Sequence, residues 1–151
     1  NVQTLKSIPL LSDEEWKNMQ KTLDAKGLIE NIRIDQFNSI DYESNEYHLS
    51  DDDTLLQIYG WAIFEDQNIP VESIYVIVDD RVHSKADYGF LRKDLNSFGL
   101  GFRSFSGWYG IIDMKEISVG CHDLSIRIVH DMQYADINTE NKLCKTDNYG
   151  G

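Results

Sequence analysis

Leu55-Leu56-Gln57-Ile58-Tyr59-Gly60-Trp61-Ala62-Ile63-Phe64 is the run whose reading decides the fold. Aliphatic and aromatic residues fill it almost without interruption. Ser50-Asp51-Asp52-Asp53 before it, and Glu65-Asp66-Gln67-Asn68 with Pro70 after it, are turn formers. A short apolar run between such breakers reads as a strand with a buried face.

The same grammar repeats on both sides. Val71–Val78 reads as a second buried strand, and Asp79-Asp80 as a turn into Arg81–Ala86. Residues 88–106 are glycine-rich and irregular, with one helical turn expected at Leu91–Leu95. Further strands are expected at about 107–114, 123–130 and 134–143. On the N-terminal side Ile32 and Ile34 alternate with Arg33 and Asp35, giving a strand near 29–37, and Tyr47-His48-Leu49 gives a short one. These make about seven or eight short strands at the spacing of an antiparallel β-sandwich, a mainly β fold.

One N-terminal α-helix precedes them. Ser12-Asp13-Glu14-Glu15 has the form of a capping box, with Ser12 as N-cap and Glu15 reaching back. Trp16, Met19 and Leu23 share a face at helical spacing, and Lys26-Gly27 offers a stop, so the helix is expected over about 12–26 with Trp16 anchoring it to the sheets. The chain thus divides into a lead-in and helix (1–27), a sandwich (28–145) and a frayed tail (146–151).

Composition narrows the function classes. Of 151 residues, 41% are hydrophobic and 11% aromatic, which fits a globular chain with a real core. The formal charge of −12, from 26 acidic and 14 basic residues, opposes binding to nucleic acid or to anionic membrane surfaces. A neutral partner such as an uncharged glycan stays open. No apolar run approaches the roughly 20 residues that span a bilayer. The chain opens on Asn1 without a signal peptide, so it reads as a processed or excised segment, any membrane anchor lying outside it.

Cys121 and Cys144 lack the clustered partners of a metal site. A turn centred between Met132 and Gln133 would set them opposite each other on paired strands, close enough for a disulfide. Two buried thiols, or a register shifted by a bulge, are the alternatives. A bridge would imply an oxidising compartment.

Gly60-Trp61-Ala62, Tyr88-Gly89, Arg92 with Asp94, Ser106-Gly107-Trp108, and Gly120 with His122 and Leu124 occur in that order. The pattern resembles an immunoglobulin-like or fibronectin III-like accessory domain of bacterial cell-envelope proteins. Phe64-Glu65-Asp66 departs from the aspartate usual after the tryptophan, and Lys93 stands where proline is common. The resemblance implies an immunoglobulin-like sandwich and a non-catalytic module, often fused to membrane glycosyltransferases. Trp61, Gly60 and Gly107 are then structural, the tryptophan offering a large buried surface and the glycines permitting bulges or close approach.

The expected function is therefore that of an extracytoplasmic accessory domain, at the cell surface or attached to a membrane protein. Its partner would be a surface polysaccharide or the rest of its own polypeptide. Aromatic residues crowd positions 88–109 among polar ones, so Tyr88, Arg92, Asp94, Trp108 and Tyr109 are the candidate glycan contacts. A protein–protein module without glycan binding is the rival reading, and a small cell-wall glycan hydrolase a third. Asp66 and Asp113 are one conceivable acid pair, but no nucleophile elbow, phosphate loop or zinc-protease motif is present, so no catalytic residue is assigned. Asp51-Asp52-Asp53 and Asp79-Asp80 are oxygen-rich turns of the kind that hold structural calcium, though without the loop spacing that would identify a site. No cofactor and no other metal is expected.

Overall fold

A computed structural model describes residues 11–21, 24–32, 39–41, 43, 45–50, 55–66, 68–90 and 106–146. Its elements in chain order are helix α1 (Asp13–Lys17) and strands β1 (Ala25–Ile32), β2 (Ser39–Asp41), β3 (Glu46–Leu49), β4 (Leu55–Phe64), β5 (Ser73–Val78), β6 (Arg81–Phe90) and β7 (Gly107–Asp113). A 3-10 turn at Met114–Glu116 precedes β8 (Gly120–His130) and β9 (Gln133–Lys145).

The strands lie in the order β1-β4-β7-β6-β5-β8-β9-β3-β2. The seven from β1 to β9 are antiparallel neighbours, and the short β3 joins β9 in parallel, so the sheet is mixed. It is one sheet curled into a half-barrel, and this corrects the expectation of an immunoglobulin-like two-sheet sandwich. The apolar core fills the inside of the curl: Leu56, Ile58 and Phe64 of β4, Ile74 and Val76 of β5, Trp108 and Ile112 of β7, and Leu124, Ile126 and Ile128 of β8.

Two local features allow the curl. Strand β6 changes partner along its length: residues up to Ala86 pair with β5, and those from Asp87 onward pair with β7. Gly110 of β7 then admits a close approach, because a Cβ there would stand 2.8 Å from Val76 Cγ2 of β5. The bulge in the second half of β6 falls at Gly89, whose φ of 104° suits glycine.

The expected framework glycines do something different. Gly60 lies directly opposite Trp108, and Gly107 directly opposite Trp61. Each glycine thus leaves room on its own face for the indole across the ladder. Trp61 itself is not a core residue: Leu56, Ile58, Gly60 and Ala62 are buried, whereas Gln57, Tyr59 and Trp61 point the other way and are half-exposed. An almost wholly apolar strand carries no signal of which phase faces inward, so the sequence reading placed Trp61 on the wrong side.

The capping box is present, with Glu15 N–H donating to Ser12 Oγ (3.2 Å) and Ser12 N–H to Glu15 Oε1 (3.0 Å). The helix is far shorter than the expected 12–26, ending at Lys17 with Asn18 as C-cap. Extended pairing takes over beyond it. Gln20 N–H donates to Met132 O (3.0 Å), Tyr134 N–H donates to Gln20 O (2.9 Å), and Gly27 lies within β1 opposite Ala62. Trp16 does anchor the segment. Its ring meets Tyr75 and Tyr134 edge-on at 5.1 and 5.8 Å, and the Arg127 guanidinium lies 4.9 Å from its centroid. Together with Leu11, Met19, Ile77 and Val129 it forms a second apolar cluster on the convex side of the sheet. Leu23 lies outside the described residues.

The two cysteines are bridged, and the route to their pairing differs from the expected one. The hairpin turn is Asp131-Met132, both in left-handed backbone (φ 45° and 62°), one residue earlier than read from sequence. Between Ser125 and Asp123 the ladder then shifts, with Thr139, Glu140 and Asn141 of β9 facing Leu124 alone. The two extra residues restore Cys121 to a place opposite Cys144, with Cα atoms 4.0 Å apart.

Candidate functional sites

Where β6 leaves β7 to pair with β5, the strands part and a wedge opens. Two side chains of β6 take up the hydrogen-bonding groups of β7 left without a strand partner. Ser84 Oγ–H donates to Ile111 O (2.7 Å), and Asp113 N–H donates to His83 Nε2 (3.0 Å). The mouth of the wedge is an open cleft of about 650 Å³ lined by Asp79, Arg81, His83, Glu116, Ser118 and His122, among others.

The pKa values of the two histidines there are shifted in opposite directions. His83 accepts through Nε2, so its proton sits on Nδ1, facing Glu116 Oε2 at 3.9 Å. Burial pushes its pKa down, against the charges of Glu116 and Asp113 that would raise it. His122 has an acceptor at each nitrogen: Nδ1 meets Asp79 Oδ2, and Nε2 meets Ser118 O at 2.7 Å. Burial acts to lower its pKa. The hydrogen bonds to Asp79 and Ser118 outweigh that, with the charges of Asp79 and Asp123, and leave the pKa raised. His122 is therefore an imidazolium clamp from β8 onto the β5–β6 turn, where Asp79 and Asp80 are both left-handed (φ 50° and 65°).

Ser118, His122 and Asp79 follow the order of a hydrolytic triad, yet the geometry does not supply a base. His122 Nε2 stands 3.5 Å from Ser118 Oγ but 2.7 Å from the Ser118 carbonyl, so its proton is committed to an acceptor that cannot release one. Asp79 is equally occupied. Its Oδ1 takes Asp123 N–H at 2.9 Å and its Oδ2 takes His122, so both oxygens serve to hold the turn against β8. Asp66 and Asp113 are also local caps, accepting from Asn68 N–H (2.9 Å) and Lys115 N–H (3.1 Å).

The clamp predicts a pH signature. Burial would raise the Asp79 pKa, but the His122 and Asp123 hydrogen bonds and the His122 charge lower it from 3.8. The contribution of Asp79 is present above that value and lost as pH falls through the lower folded one. The contribution of His122 is complete below its ordinary 6.5 and lost as pH rises through the raised folded value. Wild type minus His122→Gln, from urea denaturation across pH, should thus be largest between about pH 4 and 6.5 and shrink at alkaline pH. A difference that stays level from acid to alkali would mean that His122 carries no proton-linked stability.

The expected glycan residues divide. Trp108 is 1% exposed and lies in the core, so no sugar can stack on it. Tyr88 is half-buried, its hydroxyl donating to Ala62 O at 2.7 Å. Arg92, Asp94 and the helical turn at Leu91–Leu95 fall outside the described residues, as do Asp51, Asp52 and Asp53. Tyr109 is on the outer face, stacked on Tyr59 directly across the ladder at 6.1 Å between centroids and 18° between planes. Trp61 is two residues along β4 on the same face, and Asp87 of β6 is the register partner of Tyr109. Tyr59 was missed because its neighbours give no hint that this phase of β4 faces out.

One more cluster was not foreseen. Glu46, His48 and Cys144 have ligand-type atoms within 4.8 Å of one another. In the bridged state the Cys144 sulfur is neither thiol nor thiolate. No protein-family model matches the chain, and no curated protein or solved structure matches it.

Proposed function

We propose that this chain is a non-catalytic, extracytoplasmic accessory module that holds a neutral glycan on the outer face of β4 and β7. The observation that carries the reading is the half-exposed Tyr59–Tyr109 stack on the outer face, with Trp61 on the same face and Asp87 in register with Tyr109. Aromatic planes accept the C–H face of a pyranose ring, and adjacent carboxylate and amide groups read its hydroxyls. The net charge of −12 favours an uncharged polymer over an anionic one. The Cys121–Cys144 bridge supports a location outside the reducing cytoplasm. The committed protons of His122 argue against hydrolysis at the cleft.

Titration calorimetry with neutral glucan and chitin oligosaccharides tests this. Tyr109→Ala and Tyr59→Ala should each weaken binding by about tenfold, equivalent to about 1.4 kcal/mol, with the circular dichroism unchanged. Absence of binding by every neutral oligosaccharide, or wild-type affinity in both variants, would remove the reading and favour a protein-docking module.

A further inference from the structure

Glu46 and His48 are two residues apart on β3 and so share a face. The parallel register sets His48 beside Cys144, and the antiparallel register of β8 sets Cys121 on the other side of Cys144. One row across three strands thus reads His48, Cys144, Cys121, with Glu46 one step along. His48 Nε2 lies 3.3 Å from Glu46 Oε1, and Cys144 Sγ lies 3.9 Å from the same oxygen. A bridged sulfur has no proton to donate across that gap, so the contact does nothing for the oxidised protein. We propose that reduction of Cys121–Cys144 opens a zinc site whose ligands are the two thiolates, the His48 imidazole and the Glu46 carboxylate.

The donor set suits zinc, which takes sulfur, imidazole nitrogen and carboxylate oxygen in tetrahedral array. Two sulfurs bound at about 2.3 Å in that geometry stand roughly 3.7 Å apart, a spacing the two side chains reach by small rotations once the bond between them is gone. No change of register is needed, because the three strands already hold the ligand positions side by side. The reaction balances with a dithiol as the physiological class of reductant. Two electrons and two protons pass to the sulfurs, the S–S bond breaks, and the dithiol becomes a disulfide. Zinc then displaces the two thiol protons.

The test uses the full chain reduced with a phosphine under anaerobic conditions; phosphorus takes the oxygen of one water, and the two hydrogens of that water become the thiol protons. The reduced protein is titrated with cobalt as a spectroscopic probe and then with zinc, and circular dichroism is recorded alongside. The expected result is one cobalt per chain, with tetrahedral visible bands and thiolate charge-transfer absorption, both lost when zinc displaces it. The oxidised protein should show neither. His48→Ala keeps both cysteines yet should lose the tetrahedral bands, and its zinc affinity should fall by more than the roughly 10–100-fold that loss of an outer-shell partner produces. Glu46→Gln should weaken zinc binding in the same direction. If His48→Ala and Glu46→Gln titrate like the reduced wild type, the metal is held by thiolates alone, as it would be in an unfolded chain, and the proposal fails. It fails equally if the reduced wild type gives no thiolate absorption with cobalt.

Discussion

Trp108→Ala is expected to lose about 3–5 kcal/mol of unfolding free energy, a large share of the roughly 5–15 kcal/mol that a domain possesses. The indole is 1% exposed and sits on β7 opposite Gly60, among the side chains that line the inside of the curl. It also lies 3.6 Å from where a Cβ on Gly110 would be, at the place where β5 closes over β7. Removing it therefore empties the point at which the sheet folds on itself, and backbone held in two ladders cannot collapse to fill the space. Among the described residues its indole N–H has no hydrogen-bond partner. Trp108→Phe, which keeps a ring and deletes that unsatisfied donor, should cost much less than the alanine change. Tyr109→Ala, one residue away on the outer face, should cost least of the three. Urea denaturation of the three variants gives the ranking. A Trp108→Ala loss below about 1 kcal/mol would mean the indole is not the keystone of this core.

The contrast between Trp108 and Trp61 also marks where sequence reading stops. Local signals carried well: the run Leu55–Phe64 forms one strand, Asp79-Asp80 forms a turn, and Ser12 with Glu15 forms a capping box. Each depends on propensity or on hydrogen bonds within a few residues. Pairing does not. A curled sheet and a sandwich have the same alternation along each strand, and the difference lies in β6 dividing its hydrogen bonds between β5 and β7. The cleft between Arg81, His83, Glu116 and His122 exists only because of that division, so no spacing in the sequence announces it. Tyr109 was legible as a candidate, but Tyr59 became one only through its place across the ladder. Extended pairing of Gln20 with the β8–β9 turn cut short a helix that apolar spacing alone would have continued.

Removal of the disulfide by Cys121→Ala with Cys144→Ala is the other large effect expected. With a sequence separation of 23, the chain-entropy relation gives a loss of about 3.4 kcal/mol. The position argues against a much smaller number. From His130 to Ser125 the β8–β9 ladder is continuous with its tight turn, but at Leu124 the bulge interrupts it, and Thr139 Oγ–H must donate to Leu124 O (2.7 Å). Beyond that break the bridge ties the two strands together where their ladder is weakest. Strand β9 in turn carries β3 on its other side, and the Lys145 ammonium donates to Met114 O and Ile117 O at 2.9 Å each. The bridge thus secures the short strands and the 3-10 turn as well as the hairpin. Denaturation of the double variant, with a chelator present to exclude metal, should show the drop. Hydrogen exchange should speed up first at Gly120–Asp123 and Lys142–Lys145, leaving Ser125–His130 protected. Phosphine-reduced wild type under the same chelating conditions should match the variant closely. Uniform loss of protection along β8 would instead mean that the bridge stabilises the whole hairpin through the unfolded state alone.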